Sequence, residues 1–447
     1  MKIIESCEFD EYWKSQTAQD DDENTELAVK EIIAAVRKEG DAAVRRYASR
    51  FDKSSPEQLE VPMTKVKCSY DELRANDQAL TEALEFAASN IYRFSQKQKE
   101  QFTNFEFEMN PGLFTGQRVI PVERAAIYVP GGRFPLISSV LMGLIPALCA
   151  GVKEVILVSP PTENGVPDRK ILAAAAIAKK SIAADGNSCD GRLRVFAIGG
   201  AQAIAALAFG TETVPRADVI AGPGNKYVAA AKRLLYGQVG IDFIAGPSDI
   251  LVITDGTNSA ELAAADMIAQ SEHDPDACAR ALVPNREFAE QIASAIKNQL
   301  AALPTAEIAS KSLENRGLIV IYQNKEQAVN IADKIAPEHL ELQTADDDSW
   351  VPCLRNYGSL FIGALSAEVL GDYSAGINHT LPTSSNARFT GGLSVRHFLK
   401  TLTTLRCTPM NCAGSEGYEK ARRAAEIIAQ AEGLEGHALS AKFRRLR

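Results

Sequence analysis

The chain has 447 residues, 46% hydrophobic and 23% charged, with a formal net charge of −9. At about 100–200 residues per domain, that leaves room for two to four domains with sizeable cores. The acidic balance argues against nucleic acid or an anionic membrane surface as the main partner.

The first ten residues are acidic and lack the apolar core of a signal peptide. An acidic run at 20–24 precedes a helical pattern that places Leu27, Ile32, Ile33 and Val36 on one side before Gly40 stops it. More helix is expected through about Lys99. From 119 the texture becomes strands alternating with alanine-rich helices. Strands are expected at 125–129, 154–158, 194–198 and 218–221, and helices at 139–150, 171–180 and 201–209. The longest apolar stretch, 136–152, holds Ser138, Ser139, Pro146 and two glycines, too interrupted to span a bilayer. Residues 181–194 read as a polar loop.

A second set of strands follows at 249–254, 280–283, 318–322 and 359–362, separated by helices such as 260–269 and 326–335. Beyond Ser394 a mostly helical tail is expected, with 421–431 at its centre. This order predicts an α/β protein with two Rossmann-like parallel-sheet domains, one inserted in the other, plus a helical N-terminal segment and a C-terminal tail. The layout is 1–24 as N-terminal segment, 25–118 with 246–390 as a discontinuous α/β domain, 119–245 as the insert, and 391–447 as the tail. The N-terminal helices are expected to complete the second sheet unit. Eight cysteines occur without any Cys-x-x-Cys pair, which points to reduced thiols and a cytoplasmic protein.

The five histidines, His273, His339, His379, His397 and His437, all lie in the last two-fifths of the chain. Four sit in polar contexts: Gln270-Ser271-Glu272-His273, Pro337-Glu338-His339, Gly371-Asp372-Tyr373 leading to Asn378-His379, and Glu432 five residues before His437. A lone histidine is most simply structural, but four such contexts favour a site. Imidazole and carboxylate suit a borderline divalent metal such as zinc, and an adjacent Glu-His pair suits acid–base chemistry near neutral pH.

Three expected strand ends run into glycine turns, at Gly131-Gly132, Gly199-Gly200 and Gly222-Pro223-Gly224. Singly, each is a tight connection. Together they favour a small-molecule or nucleotide pocket beyond the carboxyl ends of the strands. Tyr227 occupies the place of the last glycine in Gly-x-Gly-x-x-Gly, so the dinucleotide fingerprint is absent.

Seven motifs in order carry a family resemblance. They are Ala126-Ile127-Tyr128-Val129-Pro130-Gly131-Gly132, Gly199-Gly200-Ala201-Gln202-Ala203-Ile204-Ala205-Ala206, Gly222-Pro223-Gly224-Asn225, Ala245-Gly246-Pro247-Ser248-Asp249, Gln270-Ser271-Glu272-His273, Ala336-Pro337-Glu338-His339-Leu340-Glu341 and Gly371 through His379. Over essentially the whole chain, to Glu432-Gly433-Leu434-Glu435-Gly436-His437, the sequence resembles histidinol dehydrogenase. The resemblance implies oxidation of L-histidinol to L-histidine through L-histidinal, the last step of histidine biosynthesis, with two NAD and one zinc per subunit.

It further implies zinc ligation by Gln270, His273, Asp372 and His437, with His437 reaching the site of the other subunit of a homodimer. Gln270 and His273, three apart, share a face if both are helical. His339 is implied as the proton acceptor in both oxidations and Glu338 as the group that activates the hydrating water. Ser248, His379 and Glu432, with the metal ligands and the Glu338–His339 pair, are implied to contact substrate. Tyr128, Gln202 and Asn225 are implied to contact NAD. His397 matches no functional position and is read as structural. The connection 181–194 and Arg133-Phe134-Pro135-Leu136 depart from the commonest family form. The alternative readings are a related zinc- and NAD-dependent dehydrogenase of another alcohol, such as a sulfonated diol, a zinc hydrolase using Glu338, and a non-catalytic zinc protein.

Overall fold

The structure, a computed structural model, describes residues 1–16, 23–131, 135–183, 192–244, 246–408 and 415–445. The core of the expected 181–194 loop, the Arg133-Phe134 departure, Gly132 and Ala245 lie outside these residues.

In chain order the strands are β1 (Lys2–Glu5), β2 (Glu60–Val61), β3 (Phe105–Asn110), β4 (Leu113–Pro121) and β5 (Arg124–Tyr128). Then come β6 (Glu154–Ser159), β7 (Leu193–Ala197), β8 (Val219–Ala221), β9 (Gly240–Ile241) and β10 (Asp249–Thr254). The last are β11 (Cys278–Val283), β12 (Leu318–Ile321), β13 (His339–Gln343), β14 (Ser359–Ile362) and β15 (Leu399–Cys407). One six-stranded sheet has the order β2-β7-β6-β5-β8-β9 and a second has β1-β12-β11-β10-β13-β14. All pairings in both are parallel except that of the edge strand β2 with β7. Near-continuous apolar runs such as Glu154–Ser159 and Asp249–Thr254 are buried on both faces, as parallel strands covered by helices must be.

The expected α/β class holds, and the strands of the first sheet do fall between β1 and β10 of the second. What completes the second sheet differs from expectation. Its added edge strand is β1, which pairs with β12 from Lys2↔Leu318 to Glu5↔Ile321, inside the segment 1–24 set apart above. The helices Glu23–Glu39, Asp41–Phe51, Met63–Asn76 and Gln78–Lys99 pack on the helices of the first sheet instead. The reason is complementary apolar surface. Val29, Ile32 and Val36 join the cluster holding Ala203 and Leu207, and Leu84 and Ile91 join that of Leu141 and Leu144.

The tail from 391 is also not simply helical. β15 pairs antiparallel with β4 along nine residues, from Leu399↔Pro121 to Cys407↔Leu113. With β3 it makes a third sheet. Alternating Phe105, Phe107 and Met109 with Glu106, Glu108 and Asn110 is the period-two signal of that hairpin. Only then come the helices Glu416–Ala431 and Glu435–Phe443.

Three of the helices that follow strands start on an asparagine cap. Asn225, Asn285 and Asn324 each accept backbone N–H bonds at the heads of Lys226–Leu235, Arg286–Leu300 and Lys325–Ile335. No helix among the described residues is long and apolar enough to cross a membrane.

Candidate active site

His339 opens β13, between β10 and β14. Its ring is 3% exposed. Nδ1 lies 3.2 Å from Oε1 of Glu368 and 4.0 Å from Oε2 of Glu338, and Nε2 lies 3.4 Å from Oδ1 of Asp372. These are charge contacts rather than aligned hydrogen bonds, because neither ring nitrogen meets a partner at bonding angle. Burial works against protonation of the ring. The carboxylates of Glu368, Glu338 and Asp372 outweigh it and hold the His339 pKa well above the usual imidazole range.

Glu338 is fixed by a reciprocal pair. Its Oε2 accepts from the Asp249 N–H at 3.1 Å, and its own N–H donates to Asp249 Oδ1 at 3.1 Å. Arg280 holds the other Asp249 oxygen at 2.8 Å. Burial pushes the Glu338 carboxyl up to about 7, where it can exchange a proton near neutrality. Ser248 precedes β10 and its carbonyl accepts from the Cys278 N–H, which seats it beside this pair.

Glu368 and Asp372 lie one turn apart on the helix Glu368–Tyr373. Burial pushes Glu368 up to about 8. Burial would raise Asp372 too, but His339, His379 and His273 hold it below the ordinary carboxylate value. The loop beyond is anchored to helices of the first sheet. Asn90 Nδ2 donates to the Ser374 carbonyl at 2.9 Å and Asn378 Nδ2 to the Met142 carbonyl at 2.7 Å. His379 therefore faces the charges of Asp372, His339 and His273, its own pKa lowered chiefly by burial.

The helix Ala260–Ser271 brings in Gln270, fully buried, with both amide atoms unpartnered. The helix ends at Ser271, so His273 sits just past its end rather than on its face. Its N–H still bonds the Gln270 carbonyl at 3.4 Å. Ligand atoms of His273, Glu368 and Asp372 all come within 4.8 Å of one another. Orphaned polar atoms of Gln270, Glu368 and Asp372 around one imidazole form a donor set that fits a divalent cation such as zinc.

Glu432 and His437 do not join this group within one chain. Glu432 caps the end of Glu416–Ala431, and His437 lies on Glu435–Phe443; both are exposed. His397 closes a capping box with Ser394 and is structural in position.

Tyr128, Gln202 and Asn225 gather at the carboxyl ends of the first sheet. The buried Tyr128 hydroxyl accepts from the Gly200 N–H at 3.1 Å, and burial pushes its pKa up to about 12. Gln202 Nε2 is 3.4 Å from Asp52 Oδ2. Asn225 Oδ1 caps its helix. A Cβ on Gly222, at φ +111°, would stand 2.2 Å from the Tyr128 carbonyl oxygen, so that turn needs glycine for packing alone.

Sequence reasoning missed Glu368, Asp249 and Glu341. The signal for Glu368 is its position four residues before Asp372, one helical turn, inside a short apolar run.

The histidinol dehydrogenase family model matches residues 15–445. The chain is 44% identical over 426 residues to the histidinol dehydrogenase of Pseudomonas aeruginosa, covering 95% of this chain and 91% of that one. It is 42% identical over 419 residues to that of Acinetobacter baylyi, with 93% and 92% covered. The crystal structure of histidinol dehydrogenase from Elizabethkingia anophelis matches with a TM-score of 0.87 at 33% identity, covering 99% of this chain and 97% of that one. A histidine–carboxylate cluster in an α/β frame, matched along nearly its full length by such relatives, makes this chain a member of the histidinol dehydrogenase family and an oxidoreductase.

Proposed function

We propose that this protein oxidises L-histidinol to L-histidine through L-histidinal, passing two hydrides to NAD with one zinc bound per subunit. The observation that carries this reading is the buried meeting of His339 with Glu338, Glu368 and Asp372 beside the unpartnered amide of Gln270.

His339, in its neutral form, takes the proton of the substrate hydroxyl as hydride leaves the same carbon for NAD. Glu338 takes a proton from the water that adds to the aldehyde. His339 then accepts the proton of the hydrate as the second hydride leaves. The balance is one water consumed and two NADH and three protons formed. Both groups are held by the protein before substrate arrives: His339 by its strand, Glu338 by the Asp249 pair. Ser248 and His379 would contact the substrate beside this pair.

Gln270, His273 and Asp372 would hold the metal, with Glu368 beside them and His437 of a second copy as the fourth ligand. Bound there, zinc would supply a template for the substrate's imidazole and amine and a positive charge offsetting the carboxylates around His339. The tail that bears His437 supports a homodimer with shared sites. Ile427, Ile428 and Phe443 are 55%, 58% and 79% exposed, an apolar surface suited to cover by another chain. Glu432 would then meet substrate in the other subunit's site.

NAD would lie at the carboxyl ends of the first sheet, near Tyr128, Gln202 and Asn225. The heads of Gly200–Phe209 and Lys226–Leu235 there offer helix N-termini, which favour anionic groups. The test is NADH formation with histidinol before chelation, after it, and after zinc is restored. Two NADH per histidinol, lost on chelation and regained with zinc, are expected. Turnover without NAD, a stoichiometry of one, or faster oxidation of an unrelated alcohol would overturn the reading.

A further inference from the structure

β13 carries three polar side chains on one face, His339, Glu341 and Gln343, while Leu340 and Leu342 enter the apolar cluster on the other. Glu341 is 1% exposed and Gln343 2%. Polar groups buried this deeply in an interior strand are costly unless they are bonded. Here they are bonded to the two helices that supply the candidate metal ligands.

Glu341 Oε1 accepts the Glu368 N–H at 2.7 Å, at the head of Glu368–Tyr373. That helix has no side-chain cap of its own. Gln343 Nε2 donates to Glu341 Oε2 at 2.9 Å and to Asp266 Oδ2 at 2.9 Å. Asp266 stands one turn before Gln270 on Ala260–Ser271, as Glu368 stands one turn before Asp372. Two tiers result. The front tier is Gln270, His339, Glu368 and Asp372, drawn from three elements, and the rear tier is Asp266, Glu341 and Gln343, drawn from Ala260–Ser271 and β13, with the Glu368 N–H bonded to it.

We infer that Asp266, Glu341 and Gln343 are positioning residues, a buried clamp that sets Ala260–Ser271 and Glu368–Tyr373 against β13 so that the metal-binding side chains converge beside His339. The inference rests on the zinc-binding reading above. None of the three touches the reacting atoms.

The decisive variant is Glu341→Leu, which keeps the volume and removes both bonds, with Glu341→Gln as the conservative control that keeps an acceptor for the Glu368 N–H. Two quantities are measured. The first is amide hydrogen exchange across 368–373 in metal-stripped protein, which is independent of any catalytic reading. The second is zinc affinity by competition with a chelator. In Glu341→Leu, exchange should quicken about tenfold or more and zinc should bind roughly 10–100-fold more weakly, the usual cost of losing an outer-shell partner. Glu341→Gln should recover most of both.

A folded Glu341→Leu protein with wild-type exchange and wild-type zinc affinity would overturn the clamp. Faster exchange with unchanged zinc affinity would overturn it too, because the bonds would then serve the fold alone. If Glu341→Leu fails to fold, Gln343→Leu decides, with weaker zinc binding expected and wild-type binding refuting. Wild-type protein that binds no zinc would instead sink the proposed function, and the exchange measurement would still show whether Glu341 holds the helix.

Discussion

The two large sheets share a topology and use it in opposite ways. Counted from β5 and from β10, both run third-second-first-fourth-fifth, each with an extra strand beside the third. The point where strand order reverses lies between β5 and β8 in one and between β10 and β13 in the other. Open α/β sheets bind ligands beyond the carboxyl ends at that point. The NAD position proposed for the first sheet follows the rule, with Tyr128 ending β5 and Gly222 just past β8. The second gathers its chemistry at the amino ends, where Asp249 starts β10 and His339 starts β13.

The helices explain the reversal. A crossover helix runs back to the amino end of the next strand, so Ala260–Ser271 delivers Gln270 and His273 to the same edge as His339. One sheet thus presents backbone turns, with the Gly200 and Gly222 N–H groups bonded to Tyr128 and Asp242. The other presents side chains, several of them buried and unpartnered. In the proposed reading the same architecture supplies a cofactor edge in one case and a catalytic edge in the other. The difference lies in which strand ends carry the polar residues.

The largest effects should come from the catalytic edge. His339→Asn should lower turnover of both histidinol and added histidinal by roughly 10²–10⁴-fold with the fold intact, since it removes a general base. Glu338→Gln should mainly slow the aldehyde step, because an alcohol needs no added water to lose hydride. In the wild type that step should quicken as pH rises through about 7, where Glu338 ionises, and the variant should lose the rise. Single-turnover NADH traces separate the steps. Equal loss of both steps in both variants would mean that the pair acts as one unit.

Next is the metal. His273→Asn removes one of the three groups whose ligand atoms lie within 4.8 Å. It should lose most bound zinc and most activity while circular dichroism stays near wild type, because the fold does not depend on this site. Full zinc content by elemental analysis would reject His273 as a ligand. Among the described residues the cofactor edge offers no such group, so Asn225→Ala should leave zinc content unchanged.

A smaller and more selective effect tests whether the catalytic edge is finished by a second chain. Mixing inactive His339→Asn with inactive His437→Asn subunits should restore roughly a quarter of the wild-type rate, since half of the dimers are mixed and each has one intact site. No recovery despite demonstrated subunit exchange would place the whole site in one chain. His437 would then have to move from its exposed position on Glu435–Phe443.

How much of this was legible in the sequence follows from the same contrast. β10 and β14 match their expected bounds, because short uninterrupted apolar runs announce parallel strands, fully buried in β10 and half-buried at the edge that β14 forms. β13 escaped, although His-Leu-Glu-Leu-Gln alternates as a strand should. Alternation of this kind marks a strand with one polar face, and only bonds from Asp266, Glu368 and one another make the burial of Glu341 and Gln343 tolerable. Individual motifs gave His339 and Asp372. Glu368 and Glu341 needed the three-dimensional arrangement, since each is a single acidic residue among apolar neighbours. The packing of 23–99 was hidden for another reason: an amphipathic stripe shows that a helix is covered without showing which sheet covers it.

The smallest effect should come from the cofactor edge, and it should be a matter of pH. Asp52 stands beside the Gly199 turn. Burial raises its pKa from 3.8 to about 6, against the Gly199 N–H and the Gln202 amide that favour its charged form. The folded protein therefore holds this proton more tightly than the unfolded chain does. The stabilising contribution is complete below pH 3.8 and is lost as pH rises through about 6. One pKa unit is worth about 1.4 kcal/mol, and partial exposure discounts the gap to on the order of 1 kcal/mol. Asp52→Asn keeps an acceptor for the Gly199 N–H but carries no charge. Its stability relative to wild type should therefore improve between pH 4 and pH 8. Urea-unfolding midpoints of the two proteins at both pH values check this. A variant whose deficit or gain is the same at both would show that Asp52 titrates alike in the folded and unfolded protein. The cofactor edge would then hold no penalised charge, and carboxyls strained by burial would be confined to the edge beside His339.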